Sequence, residues 1–456
     1  MNFIDFRRFD LAAVIAVVSG SVQMQQIDTR TVVNQFKRSF DEATLNELGK
    51  RARFCRRERV VTPHRLALRM LEAFATTDSD TIADIQRTFN ARGAQSVQYK
   101  PFHNQLAKRQ FRTFMRLLLT RLMHEWAIAV LRFSPASPVA RFQHIRLQDG
   151  TSFALKDTLA ADCPGRCTTL SPAAVALHVN MDLLTEALHS VVLSPDGDAE
   201  RQFLPAPADL AGDVLLADRG YCDPHYCQAM HHAEGHFIVR GKANLNPLIL
   251  HAYDHQGQAI KCWRGQRLKD VKHKITRRSA VDLDVRFETK DGPFNGRLLG
   301  NPNPPEDNPR YLVTTLPRAA FNLEHRSDGY RLHWQIELLF KEWKSFANLK
   351  ACATSNPHRA EGRSWASLCA ATVSRYCAHA TQRITHRQIS TRRVALCMRQ
   401  VLTDIVHAVL NALRKLTTAV KRAINYLANK AQRAHPKRDA KSRRLKLGLQ
   451  HVFGTN

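Results

Sequence analysis

The sequence predicts an α/β protein, with a mixed sheet preceded by a helical segment and interrupted by a β-rich insertion. Three observations carry this. Residues 23 to about 135 hold apolar residues at helical spacing. From Pro138 short alternating or apolar runs take over, three in succession and then alternating with helical candidates, the order of a mixed sheet. One amphipathic helix, Tyr330–Phe346 (YRLHWQIELLFKEWKSF), follows strand-like runs broken by Gly, Pro and Asn.

The first segment, 1–137, is read as a helical DNA-binding domain. Arg7-Arg8 before LAAVIAVV mimics an export signal, but the apolar part is short and no clear cleavage site follows, so a short helix or a different start is expected at 1–22. Thr62-Pro63 opens one helix, Ser79–Asn90 carries capping chemistry, and a long helix is expected from Leu106 to Phe133. A short helix, a turn at Gly93 and a second helix suit a helix-turn-helix-like reader and equally a bundle that only packs. Arg51, Arg53, Arg56, Arg57 and Arg59 favour DNA, though a solvated charged face has the same look.

A catalytic core is expected over 138–242 and 327–420. Strands are predicted at His144–Leu155, Ala173–Asp182, Leu188–Leu193, within Gly212–Tyr221 and at His236–Val239, with helices around Ala199–Leu210 and His225–Glu234. Residues 243–326 (LDVRFETKDG, NGRLLG, RYLVTTL) read as a β-rich insertion, and 421–456 as a basic tail, poorly ordered when free.

The charge points to a partner. With 68 Lys+Arg against 40 Asp+Glu the net charge is +28. Such an excess repels itself unless a polyanion offsets it, so nucleic acid is the default partner. No membrane is expected, because no apolar run reaches the ~18–20 residues a span needs. Ten cysteines are scattered at 55, 163, 167, 222, 227, 262, 352, 369, 377 and 397, a pattern of reduced thiols in a cytoplasmic protein.

On a helical wheel Leu332, Ile336, Leu339, Trp343 and Phe346 form an apolar stripe, while Tyr330, Glu337, Lys341 and Lys344 align opposite it with His333 beside them. That line could hold a metal and phosphate oxygens; it is also what a plain amphipathic helix with a Glu337–Lys341 pair looks like. Asp149 ends an alternating strand before Gly-Thr-Ser, and Asp218 stands at the carboxyl end of an apolar one, where α/β sheets place ligands. Three such acids could bind two Mg²⁺ (or Mn²⁺), the ions favoured by all-oxygen donors. Asp149 has a turn role as its alternative and Asp218 an ion pair with Arg219 or Arg240. Asp157, Asp162 and Asp182 could each replace Asp149 on physical grounds alone.

LQDGTSF, LLADRGY, FIVRGKAN and YRLHWQIELLFKEWKS together resemble the bacterial DDE transposases of the insertion sequence 4 family. That family carries Tyr, two residues, Arg, three residues, Glu, six residues, Lys around its third acid; here the positions are Tyr330, His333, Glu337 and Lys344. The resemblance implies a ribonuclease-H-like core and a metal-binding triad of Asp149, Asp218 and Glu337. It implies contacts to the DNA end from Tyr330 and Lys344. The one departure is His333, where Arg would grip phosphate with two donors and a permanent charge.

It further implies Mg-dependent cut-and-paste transposition at terminal inverted repeats by nicking, hairpin formation and strand transfer. The partners would be double-stranded DNA, both repeats and target, with a homodimer on the DNA, in the cytoplasm at the bacterial nucleoid. Arg240 and Lys242 are expected on the DNA backbone, and Trp334 or Trp263 against a displaced base, with core packing the equal alternative for each tryptophan. A nuclease without strand transfer and a catalytically decayed DNA-binding regulator stay open as alternatives. So does a zinc protein using Cys163, Cys167, Cys222, His225, Cys227 and His231.

Overall fold

A computed structural model describes residues 27–452 except 56–59, 76–80, 92–94, 135–136, 138–139, 168, 276–279, 303–308, 320, 324–328, 348, 350–353 and 435–447. The expectations for residues 1–22, Arg56, Arg57, Arg59, Gly93, Cys352 and the middle of the basic tail lie outside the described residues.

Among the described residues the chain opens with helices α1 (Thr29–Ser39), α2 (Glu42–Arg51), α3 (Pro63–Phe74), α4 (Ile82–Asn90), α5 (Tyr99–Leu106) and α6 (Arg109–Glu125). Their starts are written in the sequence. Asp28, Asp41 and Thr62 each accept a backbone N–H of the first turn, Pro63 takes the first position of α3, and Thr81 with Asp84 forms a capping box.

The single helix expected from Leu106 to Phe133 is two shorter ones. Lys108 is extended between them, and α6 stops at Glu125. Trp126 then leaves the helix to pack edge-on against Phe36 and Phe40, its Nε1 donating to Ser39 (2.7 Å). Burial of this ring overrides helical propensity, and the chain continues into strand β1 (Leu131–Phe133).

The sheet strands follow as β2 (Ile145–Ala154), β3 (Ala174–Asp182), β4 (Leu188–Pro195), β5 (Val214–Ala217) and, after helix α7 (Pro224–His232), β6 (His236–Arg240). The helix expected near Ala199–Leu210 is instead two 3₁₀ turns, Glu200–Phe203 and Pro207–Leu210. Pro205 and Pro207 lack the amides a continuous helix needs there. Next come β7 (Leu248–Tyr253), the short helix α8 (Leu268–Val271), β8 (Val281–Thr289), β9 (Gly292–Asn301) and β10 (Arg310–Thr314).

All but β1 join one nine-stranded sheet of order β4-β3-β2-β5-β6-β10-β9-β8-β7. Strands β2, β5 and β6 are parallel neighbours, and β3, β4 and β10 run antiparallel to theirs. The strands of 243–326 therefore extend the sheet rather than stand apart from it. β10 covers β6, which would otherwise be an open edge. A buried ion cluster ties this half down: Arg297 and Arg318 both grip Asp282, and Arg297 also donates to the Phe321 carbonyl (3.1 Å).

After the sheet come α9 (Trp334–Phe346), α10 (Pro357–Thr385), α11 (Thr391–Asn411) and α12 (Leu416–Lys430). The basic tail is thus ordered further than expected. Lys421, Arg422 and Lys430 lie on the exposed side of α12, whose Val420, Ile424 and Leu427 are buried. Strand β11 (Leu449–His451) pairs with β1. By length and composition α11 could cross a membrane, but Val394, Met398, Val401, Leu402 and Ile405 on one side of it are buried within the protein.

The early and late helices share one apolar cluster. α6 lies against α10, with Arg112 paired to Glu361. The close approach depends on Gly362, where an added Cβ would sit 2.4 Å from the Phe111 ring. Gly362→Ala is therefore expected to destabilise the protein by about 1–3 kcal/mol through overpacking. Urea unfolding measures this, and an unchanged midpoint would show that the two helices do not rely on that contact.

Candidate active site

Parallel pairing of β2 with β5 brings two of the acids together. Gln148 stands opposite Ala217, and one step on in that register Asp149 lies beside Asp218. Neighbouring strands are ~4.8 Å apart, so the carboxylates share one edge of the site. Asp149 accepts from the Gly150 amide (2.8 Å). Burial pushes its carboxyl up to about 7, and the charges of Asp218, Glu337 and Glu200 add to the rise. All three are close enough to be felt there.

The competing acids fall elsewhere. Asp157 and Asp162 are exposed. Asp182 is buried at the end of β3, where it accepts from the Leu184 and Thr185 amides and closes a turn.

Glu337 arrives on α9, which leans on β2. The expected helix Tyr330–Phe346 is broken at Leu332–His333. The bonds from Leu332 to Gly329, His333 to Tyr330, Gln335 to Leu332 and Ile336 to His333 all span three residues. Such winding turns about 120° per residue and eclipses positions three apart. His333 therefore lies under Tyr330, the rings 5.6 Å apart and nearly parallel.

His333 is corrected on this point. It is buried rather than presented to DNA, and its Nε2 donates to the Gln148 carbonyl (3.1 Å). Burial holds its pKa low, so it is a neutral strut between α9 and β2. Tyr330 is half-buried and its hydroxyl donates to Asp218 (2.9 Å). Arg240, at the end of β6, stands 3.6 Å from the same carboxylate. Tyr330 and Arg240, two of the residues expected on DNA, thus both face Asp218 in this structure.

The remaining positions separate. Trp334 is 51% exposed, with the Lys341 ammonium 5.0 Å over its ring. Lys344 is half-buried, which lowers its amine pKa. Lys242 lies beside the Cys222 thiol. Trp263 ends a 3₁₀ turn and is buried in the apolar cluster beneath β7–β9, the core-packing alternative of the two open for it. Burial pushes the thiols of Cys222 and Cys227 up, away from the thiolate a zinc ligand needs.

Sequence reading missed Glu200, on the connection from β4 to β5. Its carboxylate occupies the space beside Gly220, where an added Cβ would overlap Oε2 at 1.6 Å, and it pairs with Arg166 (3.4 Å). The Gly two residues after Asp218 was the available sign, since it leaves room for a neighbour without naming one.

A family model described as Transposase DDE domain matches residues 141–373, which hold all three acids. The chain is 27% identical over 252 residues to the transposase for insertion sequence element IS421 of Escherichia coli, covering 50% of this chain and 64% of that protein. It is 22% identical over 345 residues to the transposase for IS231B of Bacillus thuringiensis subsp. berliner, covering 66% and 70%. It is 21% identical over 448 residues to the transposase for IS231C of that subspecies, covering 87% and 91%. The chain thus spans about two thirds of the length of the Escherichia coli relatives. The sheet, the acids and the matched span together establish that the chain belongs to the Transposase DDE domain family.

Proposed function

We propose that this protein is the transposase of an insertion sequence, cutting double-stranded DNA at terminal inverted repeats and joining the freed ends to a target. The observation that supports this is Asp149 on β2 beside Asp218 at the end of β5 and within electrostatic reach of Glu337 on α9, with burial driving the Asp149 carboxyl to about 7. The strand order β4-β3-β2-β5-β6, with β2, β5 and β6 parallel, supports a ribonuclease-H-like core.

Among the described residues no three His, Cys, Asp or Glu form a ready-made metal cage. The donor chemistry nonetheless fits a hard divalent cation, because the donors are all carboxylates, with Arg240, 3.6 Å from Asp218, offsetting part of their charge. Asp149, Asp218 and Glu337 would hold Mg²⁺ or Mn²⁺, which would supply an activated water or hydroxyl and stabilise the leaving oxygen. Tyr330 and Arg240 orient Asp218 until DNA arrives. His333 fixes the height of α9 against β2, and with it Glu337. The amines of Lys341 and Lys344 offset phosphate charge along the same helix.

Cleavage breaks the P–O3′ bond, with water adding to phosphorus and the 3′-oxygen taking a proton. The freed 3′-hydroxyl would then attack phosphorus on the opposite strand, expelling the 3′-oxygen of the flanking DNA to give a hairpin; water would break the hairpin's P–O3′ bond, and the regenerated 3′-hydroxyl would attack a target phosphorus, expelling a target 3′-oxygen. Two ends must meet, which supports a dimer on DNA, and such a protein would work at the bacterial nucleoid.

The test is a strand-transfer assay with a labelled repeat end, target plasmid and Mg²⁺, using wild type and Glu337→Ala. Joined product from the wild type only is expected. Cleavage without joining would mark a nuclease. Binding without either, in both proteins, would mark a decayed copy.

A further inference from the structure

We propose that Tyr221 and His178 are positioning residues for the candidate metal site: their hydrogen bond, made on the face of the sheet opposite Asp149, fixes the spacing of Asp149 and Asp218. This rests on the transposase reading above and adds what holds the two acids in place.

That spacing needs a fastening. β2 and β5 pair in parallel from Ile145 with Val214 to Gln148 with Ala217. The ladder ends one residue short of both acids, and from Asp218 the chain enters the 3₁₀ turn Arg219–Tyr221. The two carboxylates repel one another where the pairing has stopped. Tyr330 and Arg240 hold the Asp218 carboxylate from outside, and both release it when DNA arrives.

Tyr221 supplies a bond that stays. Its N–H donates to the Asp218 carbonyl (3.1 Å), so its backbone moves with that acid. Its side chain is buried and reaches under β2, where the hydroxyl donates to His178 Nδ1 (3.3 Å) and accepts from the Gln148 amide. His178 stands opposite Gly150 in the β2–β3 ladder. Gln148 and Gly150 flank Asp149, and strand alternation turns them to the other face. Gly150 leaves room for the bond: an added Cβ would lie 3.2 Å from both His178 Nδ1 and the Tyr221 hydroxyl.

The direction of each bond follows from the last one. The Ser194 hydroxyl donates to the Pro195 carbonyl (3.1 Å), so its oxygen accepts from His178 Nε2 (3.2 Å). Nδ1 therefore carries the lone pair that Tyr221 needs. Burial lowers the His178 pKa to about 4, which keeps the ring neutral. Phe203 stacks on the imidazole, 3.9 Å between ring centres, and fixes its plane. One buried line thus runs from Asp218, beneath β2 beside Asp149, to β3 and β4.

The test titrates Mn²⁺ into full-length protein bound to a duplex bearing the inverted repeat that borders its coding sequence. Bound metal is read by water-proton relaxation, below the melting midpoint of every variant. Tyr221→Phe keeps the ring and loses the hydroxyl. Its Mn²⁺ affinity is expected to fall about tenfold, while its affinity for the duplex without metal is unchanged. The imidazole is then tested at each end. Asn puts an amide oxygen where Nδ1 stands, and Gln puts its amide where Nε2 stands. His178→Asn is expected to keep most of the Mn²⁺ affinity, and His178→Gln to lose as much as Tyr221→Phe.

An unchanged Mn²⁺ affinity in Tyr221→Phe would overturn the fastening. Equal affinities in the two His178 variants would overturn it as well, and would leave the imidazole as packing alone. A wild type that binds Mn²⁺ no better than Asp149→Asn would overturn the metal-site reading itself, whatever Tyr221 does.

Discussion

Asp149→Asn is expected to abolish strand transfer, by more than about a thousandfold, and at the same time to make the metal-free protein more stable. The two effects share one cause. Burial and three acidic neighbours raise the Asp149 carboxyl from 3.8 to about 7 in the folded protein. A raised acid penalises the folded state once it must ionise there. The penalty is absent below the unfolded value near 4, grows as pH rises, and is complete above about 7.

At ~1.4 kcal/mol per pH unit the limit is about 4 kcal/mol, and relaxation with water entry brings it to about 2 kcal/mol. At pH 8 the variant should therefore melt a few degrees above the wild type without metal. The gap should close near pH 4. Mg²⁺ or Mn²⁺ should raise the wild type more than the variant. Equal melting of both proteins at pH 8 would show that these acids do not repel one another.

Trp263→Ala is expected to lower the unfolding free energy by about 3–5 kcal/mol, the usual result of emptying a buried aromatic site. The ring is 6% exposed and belongs to the cluster that includes Ile249, Leu268 and Val285. Urea unfolding gives the loss directly. Hairpin formation per folded molecule should be unchanged. A variant that melts normally but forms hairpins slowly would return Trp263 to the DNA.

Much of this was legible in the chain, and the failures have physical causes. Strands β2 and β3 announce themselves by alternation and β-branched content, and Asp218 follows from its place at the end of β5; Asp149, expected at a strand end, lies instead in the middle of β2, which runs on to Ala154. The adjacency of Asp149 and Asp218 was not legible, because it depends on β5 pairing in parallel with β2 across some sixty residues of intervening chain. His333 was misplaced by assuming α-helical winding, about 100° per residue, where the chain turns by about 120°. Which of its two open roles Trp263 takes was not legible, because Lys261 and Arg264 flank it and only the 3₁₀ turn puts the ring in the core. Glu200 was invisible because a connection between strands has no period to read.

The packing of α6 on α10 has a consequence for the protein during its synthesis. Arg112 and Glu361 are 249 residues apart, and Phe111 waits for Gly362. At the ~5–20 residues per second of translation, that interval lasts roughly 12–50 seconds. For that time Phe111, Phe114 and Leu118, all buried in the finished protein, lack the face of α10, although Phe54 is already there to pack against Phe111 and Phe114. A ribosome that stops short of α10 therefore releases a polypeptide whose first helices pack on one another but leave one side of their core uncovered.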